Sequence, residues 1–213
     1  PVVLVFPCSG QSQDSLGGLV GDFGAPDPLV ISADASTDAQ ACLDQRGWQP
    51  TGFNARVLAP PEPMPSGCLH LRFPSPKPSG HEQVDLVNCE WYVAREKGSD
   101  RAATCRAVIV VHESGSNMAV GRLFASELCR RGMHAFLVQL PGYGTRKSAD
   151  FSSGDLIKVF AQGVADVRRA RDAVAVLPNV DASHIALQGT SLGGFVATLA
   201  SSLDANFDST FLL

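Results

Sequence analysis

The sequence predicts an α/β fold: a mostly parallel sheet with helices on both faces, led into by an antiparallel hairpin and preceded by an irregular Pro/Gly-rich arm. Three observations carry this. From residue 105 onward, strand-like and helix-like segments alternate, which is the rhythm of a sheet built from crossover connections. The first of these strands, Ala107-Val108-Ile109-Val110-Val111, is an apolar, largely β-branched run of the kind buried on both faces of a parallel sheet. Proline also divides the chain, with 12 of its 14 prolines before residue 80 and four of them between Pro60 and Pro65.

Each element follows from its local pattern. Residues 7 to 66 are rich in Gly, Pro, Ser and Asp with no sustained period, so residues 1–67 are expected to form an arm and 68–213 the folded domain. Leu69 to Phe73 and Val87 to Ala94 are strand-like and separated by the turn-forming Pro74 to Gly80. A helix is expected from Asn117 to Arg131, with Val120, Leu123, Phe124 and Leu128 on its inner face and Gly132 as its stop. The strand His134 to Leu140 leads into the turn Pro141-Gly142-Tyr143-Gly144, which with Arg146 reads equally as a tight turn or a substrate contact. Leu156, Phe160, Val164, Val167, Ala170, Val174 and Leu177 then recur at helical spacing, with Ser152 or Ser153 as cap and Pro178 as terminator. Lys158, Asp166, Arg168, Arg169 and Asp172 fill the other side, and Arg168, Arg169 and Arg171 are expected to be a solvated face rather than an anion site. A strand at His184 to Gln188, a helix from Ser191 to Ser202 and a strand from Thr210 complete the order.

Composition removes several classes of function. The 213 residues are 45% apolar and 18% charged, with a formal net charge of −4, the balance of a globular protein rather than a disordered one. No apolar run approaches the roughly 18 residues of a membrane span. No block of Lys or Arg supplies the surface that nucleic-acid binding relies on. The six cysteines, Cys8, Cys42, Cys68, Cys89, Cys105 and Cys129, form no C-x-x-C pair, so buried thiols are expected rather than a metal site. Val2 to Phe6, followed by the small and polar Cys8 to Ser12, reads either as the end of a signal peptide's apolar core or as a short strand, which leaves the compartment open.

The chemistry-bearing motif stands between the last long strand and its helix: Gly189-Thr190-Ser191-Leu192-Gly193-Gly194, a match to G-x-S-x-G in its strand–turn–helix context. In a chain with 20 glycines the pattern alone is weak, and the flanking elements give it weight. A sharp turn there strains the serine backbone and pushes the hydroxyl clear of the sheet, and residues two before and two after must lack a Cβ, as Gly189 and Gly193 do. The following helix aims its free N–H groups at the same point.

At these residues the chain resembles the α/β-hydrolase superfamily, in its esterase, lipase and dienelactone-hydrolase-like branches, over residues 69 to 213. The resemblance rests on Val110-Val111-His112-Glu113-Ser114-Gly115-Ser116, on Leu140-Pro141-Gly142-Tyr143-Gly144 and on the serine turn. It implies Ser191 as nucleophile and an oxyanion hole formed by the backbone N–H groups of Leu192 and Ser114. It implies a small ester or related acyl substrate, with no metal or organic cofactor. Glu113 stands where the family has glycine, and its carboxylate is expected to point away from a site that stabilises negative charge.

A serine hydroxyl needs a base, and the base needs an orienting acid. The superfamily places them after the serine in the chain. The 22 residues after Ser191 hold no histidine, and Asp204 and Asp208 precede the strand after which the family's acid occurs. The expectation is a fragment, incomplete at its C-terminus, with the acid and histidine beyond Leu213 and little turnover by these 213 residues alone. Upstream, His112 is expected to organise the oxyanion loop, His134 and His184 to be structural at strand starts, and His70 and His81 to be solvated. A non-catalytic binding or scaffold protein retaining the fold is the alternative reading. Oligomeric state is not legible.

Overall fold

Strand β5 (Cys105–Val111) lies inside the sheet, sixth of the eight strands among the described residues, and Ala107 to Val111 are buried along it. The computed structural model describes residues 16, 18–31, 33–59, 68–115, 117–151 and 156–213. Val2 to Phe6, Cys8, the Pro60–Pro65 stretch and the proposed caps Ser152 and Ser153 lie outside these. The strands are β1 (Gly21–Ala25), β2 (Phe53–Leu58), β3 (Leu69–Pro74), β4 (Leu86–Tyr92), β5, β6 (His134–Val138), β7 (Val180–Gly189) and β8 (Thr210–Leu212), in the order β1-β2-β3-β4-β6-β5-β7-β8. Pairings from β1 to β6 are antiparallel, and β6-β5, β5-β7 and β7-β8 are parallel. The sheet is therefore mixed rather than mostly parallel, because the hairpin strands are extended by two more from the arm.

The arm is the larger correction. Its described part is regular, with β1, helix α1 (Thr37–Arg46) and β2. β2 alternates, with Ala55 and Val57 buried and Asn54 and Arg56 exposed. α1 buries none of its residues, so no apolar face announces it and its Cys42 is exposed. Cys68 and Cys89 are buried as expected, and burial pushes the Cys89 thiol up.

The other helices are α2 (Glu82–Asp85), α3 (Ala119–Arg130), α4 (Leu156–Ala175) and α5 (Leu192–Leu203). Right-handed crossovers from β5 to β6 and from β6 to β7 run in opposite directions along the sheet, so α3 and α4 cover opposite faces. α3 is turned from its expected orientation: Gly121 and Ala125 are buried, whereas Val120 and Leu123 are exposed. Small residues set this approach, since a Cβ on Gly121 would lie 2.8 Å from both the His112 Cβ and the Leu137 Cδ1. Gly132 ends the helix with φ +81°, as its position predicts.

The charged side of α4 is not solvated. Asp166, Arg168, Arg169 and Asp172 are all buried. Arg169 Nη2 donates to Asp27 Oδ2 at 2.6 Å, and its guanidinium lies 4.7 Å from the Phe53 ring centre. Trp48 Nε1 donates to the same Asp27 oxygen at 2.8 Å, so the arm is tied onto the helix. Arg168 bonds Asp172 and lies 2.6 Å from Asp204, a charge contact without hydrogen-bond alignment. Arg171 reaches Asp172 at 3.5 Å. Arg146 Nη2 donates to Asp166 Oδ2 at 2.7 Å, and Ser75 Oγ donates to Asp166 Oδ1 at 2.5 Å.

Candidate active site

β7 delivers Ser191 to the carboxyl edge of the sheet, the edge at which α/β folds bind ligands. Ser191 has φ 51° and ψ −116°, a conformation that costs an L-residue of order 1–3 kcal/mol and persists only where its surroundings enforce it. Backbone contacts do so on every side. Thr190 N donates to Val111 O at 3.1 Å, Ser191 N to Leu213 O at 2.8 Å and Gly193 N to Thr190 O at 2.9 Å. A Cβ on Gly189 would lie 2.3 Å from Gly193 O, and one on Gly193 would lie 2.2 Å from Val111 O. Both glycines expected at the turn are thus required by backbone contact. Ser191 is exposed, and Leu192 opens α5 as the first of the residues whose N–H groups the helix itself does not use.

The loop after β5 begins against this turn, because the carbonyls of Val111 and His112 both face Gly193. His112 is fully buried. Its Nε2 accepts the Leu140 N–H at 3.1 Å, so the proton sits on Nδ1 and is donated to Glu113 O at 2.5 Å. One imidazole thereby joins the loop to the Pro141–Gly144 turn, and burial holds its pKa below the usual histidine range, keeping it neutral. Tyr143 lies with its ring centre 4.7 Å from that of His112, and its hydroxyl is 3.5 Å from Ser114 O. Glu113 turns away from Ser191: its Oε1 accepts from Val120 N and its Oε2 from Gly121 N, each at 3.0 Å, at the start of α3.

Among the described residues, none of the five histidines is hydrogen-bonded to Ser191. His134 accepts from Trp91 Nε1 and Ala94 N and donates to Ala103 O, a structural role at the start of β6. His184 is exposed beside Asp181, several residues before the serine along β7. His70 is buried rather than solvated, with Nδ1 3.1 Å from Asn88 Oδ1 across the β3-β4 ladder. His81 is half-buried against Phe151. Asp204 is committed to Arg168. Arg146 is fully buried and donates to Val84 O and Gln139 O as well as to Asp166, which leaves it no substrate-facing donor role.

Two cavities, of about 260 and 510 Å³, are lined by the arm from Pro28 to Pro50 and, for the larger, by Ser201 to Asn206. The latter residues are at the far end of α5, about 18 Å of helix from Ser191. Among the described residues no group of His, Cys, Asp or Glu is arranged to hold a metal ion, and no helix is long and apolar enough to cross a membrane.

No family model matches the chain. Among curated proteins it is similar to the acylamino-acid-releasing enzyme of Homo sapiens, 29% identical over 144 residues, which covers 64% of this chain and 19% of that protein. Among solved structures it is similar to the acetyl xylan esterase from Paenibacillus sp. R4, with a TM-score of 0.53 and 18% identity over 94% of this chain and 65% of that one. It is also similar to a provisionally assigned acetyl xylan esterase from Bacteroides fragilis, with a TM-score of 0.57 and 12% identity over 81% of this chain and 50% of that one. The chain has the α/β-hydrolase fold. It spans about a fifth of the length of the curated relative and half to two thirds of the two structures.

Proposed function

We propose that the protein is a serine hydrolase that cleaves a carboxylic ester through an acyl-enzyme on Ser191. The observation that carries this is the strained, exposed Ser191 at the start of α5, enforced by two glycines that admit no side chain. Ser191 Oγ attacks the ester carbonyl, and its proton passes to a base and then to the leaving alcohol. The tetrahedral oxyanion is held by the N–H groups of Leu192 and Ser114, with the N-terminal end of the α5 dipole behind it. Water then attacks the acyl-enzyme and releases the acid. No described histidine is hydrogen-bonded to Ser191, so the reading assigns the base to none of them. The 213 residues alone accordingly turn over little or no ester. The similarity to the acylamino-acid-releasing enzyme favours a second substrate class for the same acyl chemistry, an N-acylated amino acid or peptide.

The test uses a fluorophosphonate probe on the full-length, folded protein, alongside p-nitrophenyl acetate and an N-acetylated amino-acid anilide. Labelling and turnover are expected to fall at least about 10³-fold in Ser191→Ala. Absence of labelling in the wild-type protein would overturn the hydrolase reading in favour of a non-catalytic binding protein that retains the fold. The reading is supported as a class by the hydrolase-fold neighbours.

A further inference from the structure

We infer that Glu113 is a positioning residue for the oxyanion-binding loop, an anchor folded inward from the one place in that loop where a carboxylate would be expected to harm it. The inference rests on the serine-hydrolase reading. Its geometry is a set of contacts linking residues 113–115, 117 and 118 to α3 and the sheet. Both carboxylate oxygens are used, one on Val120 N and one on Gly121 N, each at 3.0 Å. These are among the N–H groups that a helix leaves without partners of its own, and a negative charge is favoured there by the helix dipole. The side chain therefore caps α3 from seven residues upstream of Val120.

The described residues of the loop fit that cap. A Cβ on Gly115 would come within 3.2 Å of Glu113 Oε1, so the chain passes the carboxylate at a distance only glycine keeps without displacement. Met118 is buried and in the left-handed region with φ 53°, and its N–H donates to Gly115 O at 3.0 Å. A non-glycine residue holds that conformation only where its neighbours enforce it. Arg122, one turn into α3, donates from Nη1 to Asn117 O at 2.9 Å and from Nη2 to the buried Glu90 of β4 at 2.6 Å. The far end of the loop is thereby tied to the sheet. On the other side the Tyr143 hydroxyl meets Ser114 O, and His112 Nδ1 holds Glu113 O. Ser114 sits between these ties, so on this inference the placement of its N–H depends on the Glu113 anchor. Oxyanion donors act through preorganisation: a donor that must be recruited during the reaction loses much of its worth.

The experiment compares Glu113→Ala, Glu113→Gln and wild type in the full-length protein for fluorophosphonate labelling rate, for kcat and KM on p-nitrophenyl acetate, and for amide exchange at Val120 and Gly121. In Glu113→Ala, kcat and labelling are expected to fall about 10- to 100-fold, less than for outright loss of a donor, with KM within about twofold and exchange at both amides accelerated. Glu113→Gln keeps one carbonyl acceptor and is expected to fall in between, with one of the two amides still protected. A merely structural cap would lower the unfolding midpoint without splitting kcat from KM. Wild-type rates in both variants, with Ser191→Ala inactive, would overturn the positioning role and leave the hydrolase reading standing. If Glu113→Ala does not fold, the Gln variant alone decides by the same split. Wild type no more reactive than Ser191→Ala would overturn the hydrolase reading, and this inference with it.

Discussion

Gly193→Ala is expected to destabilise the protein by about 3 kcal/mol or more, at or above the upper end of ordinary overpacking. The added methyl would be placed 2.2 Å from Val111 O, 2.5 Å from Val111 C and 2.6 Å from His112 O. All three are backbone atoms where the interior strand β5 passes into its loop, so no side chain can swing aside. Relief requires α5 to move off the sheet, which also releases the strain that exposes Ser191. The neighbouring Gly194 is the control. It lies in the same helical turn, but a Cβ there meets nothing nearer than Leu213 O at 3.5 Å and Gly189 O at 3.6 Å, ordinary contact. Gly194→Ala should therefore stay within about 1 kcal/mol of wild type, with helix propensity in its favour. Urea midpoints of the two variants decide the matter, and equal midpoints would mean that the turn yields to a methyl group at Gly193 as readily as at Gly194.

Arg146→Met should cost about 3–5 kcal/mol, the loss typical of a buried pair from which one partner is removed. The guanidinium joins four elements: it donates to Val84 O of α2, to Gln139 O beyond β6 and to Asp166 of α4, from its own turn at Gly144–Arg146. Without it, a carboxylate with no exposed surface faces only Ser75. Burial already pushes the Asp166 carboxyl above its ordinary 3.8, even with Arg146 beside it. A raised native pKa means that the folded state binds the proton at a pH where the unfolded chain has lost it, so stability from this group grows as pH falls and is lost as pH rises through the native value. The deficit of Arg146→Met should consequently shrink on acidification, and the double variant Arg146→Met/Asp166→Asn should lose less than the single one. A deficit that is independent of pH and unchanged in the double variant would show that the arginine matters through packing alone.

The strands and helices from residue 68 onward were legible because their burial is periodic. Ala107 to Val111 and the 3.6-residue spacing along α4 follow directly from apolar patterning. What patterning misses is the identity of whatever faces a polar residue. Asp166, Arg168, Arg169 and Asp172 have the spacing of a wetted stripe, yet Ser75, Arg146, Asp204 and Asp27 come from distant positions to meet the first three, and Asp172 is buried against Arg168. The arm misled for a different reason: α1 buries nothing, and β1 has a single buried residue, Ala25. β2 did carry a signal, the alternation through Asn54, Ala55, Arg56 and Val57, which the surrounding prolines obscured. At the site, the glycines flanking Ser191 were readable because their role is steric and local. The destination of the Glu113 carboxylate was not, although an acidic residue a few positions ahead of a helix start is the trace such a cap leaves.

The strand order bears on how the chain is made. β5 leaves the ribosome before either strand that will flank it, since β6 and β7 are both translated later and β6 also inserts between β4 and β5. From Val111 to the end of β7 at Gly189, synthesis takes on the order of 4–16 s at 5–20 residues per second. Throughout that interval β5, the most apolar strand among the described residues, has no permanent neighbour on one edge. The sheet therefore cannot close on that edge of β5 until the segment that carries the serine has been made.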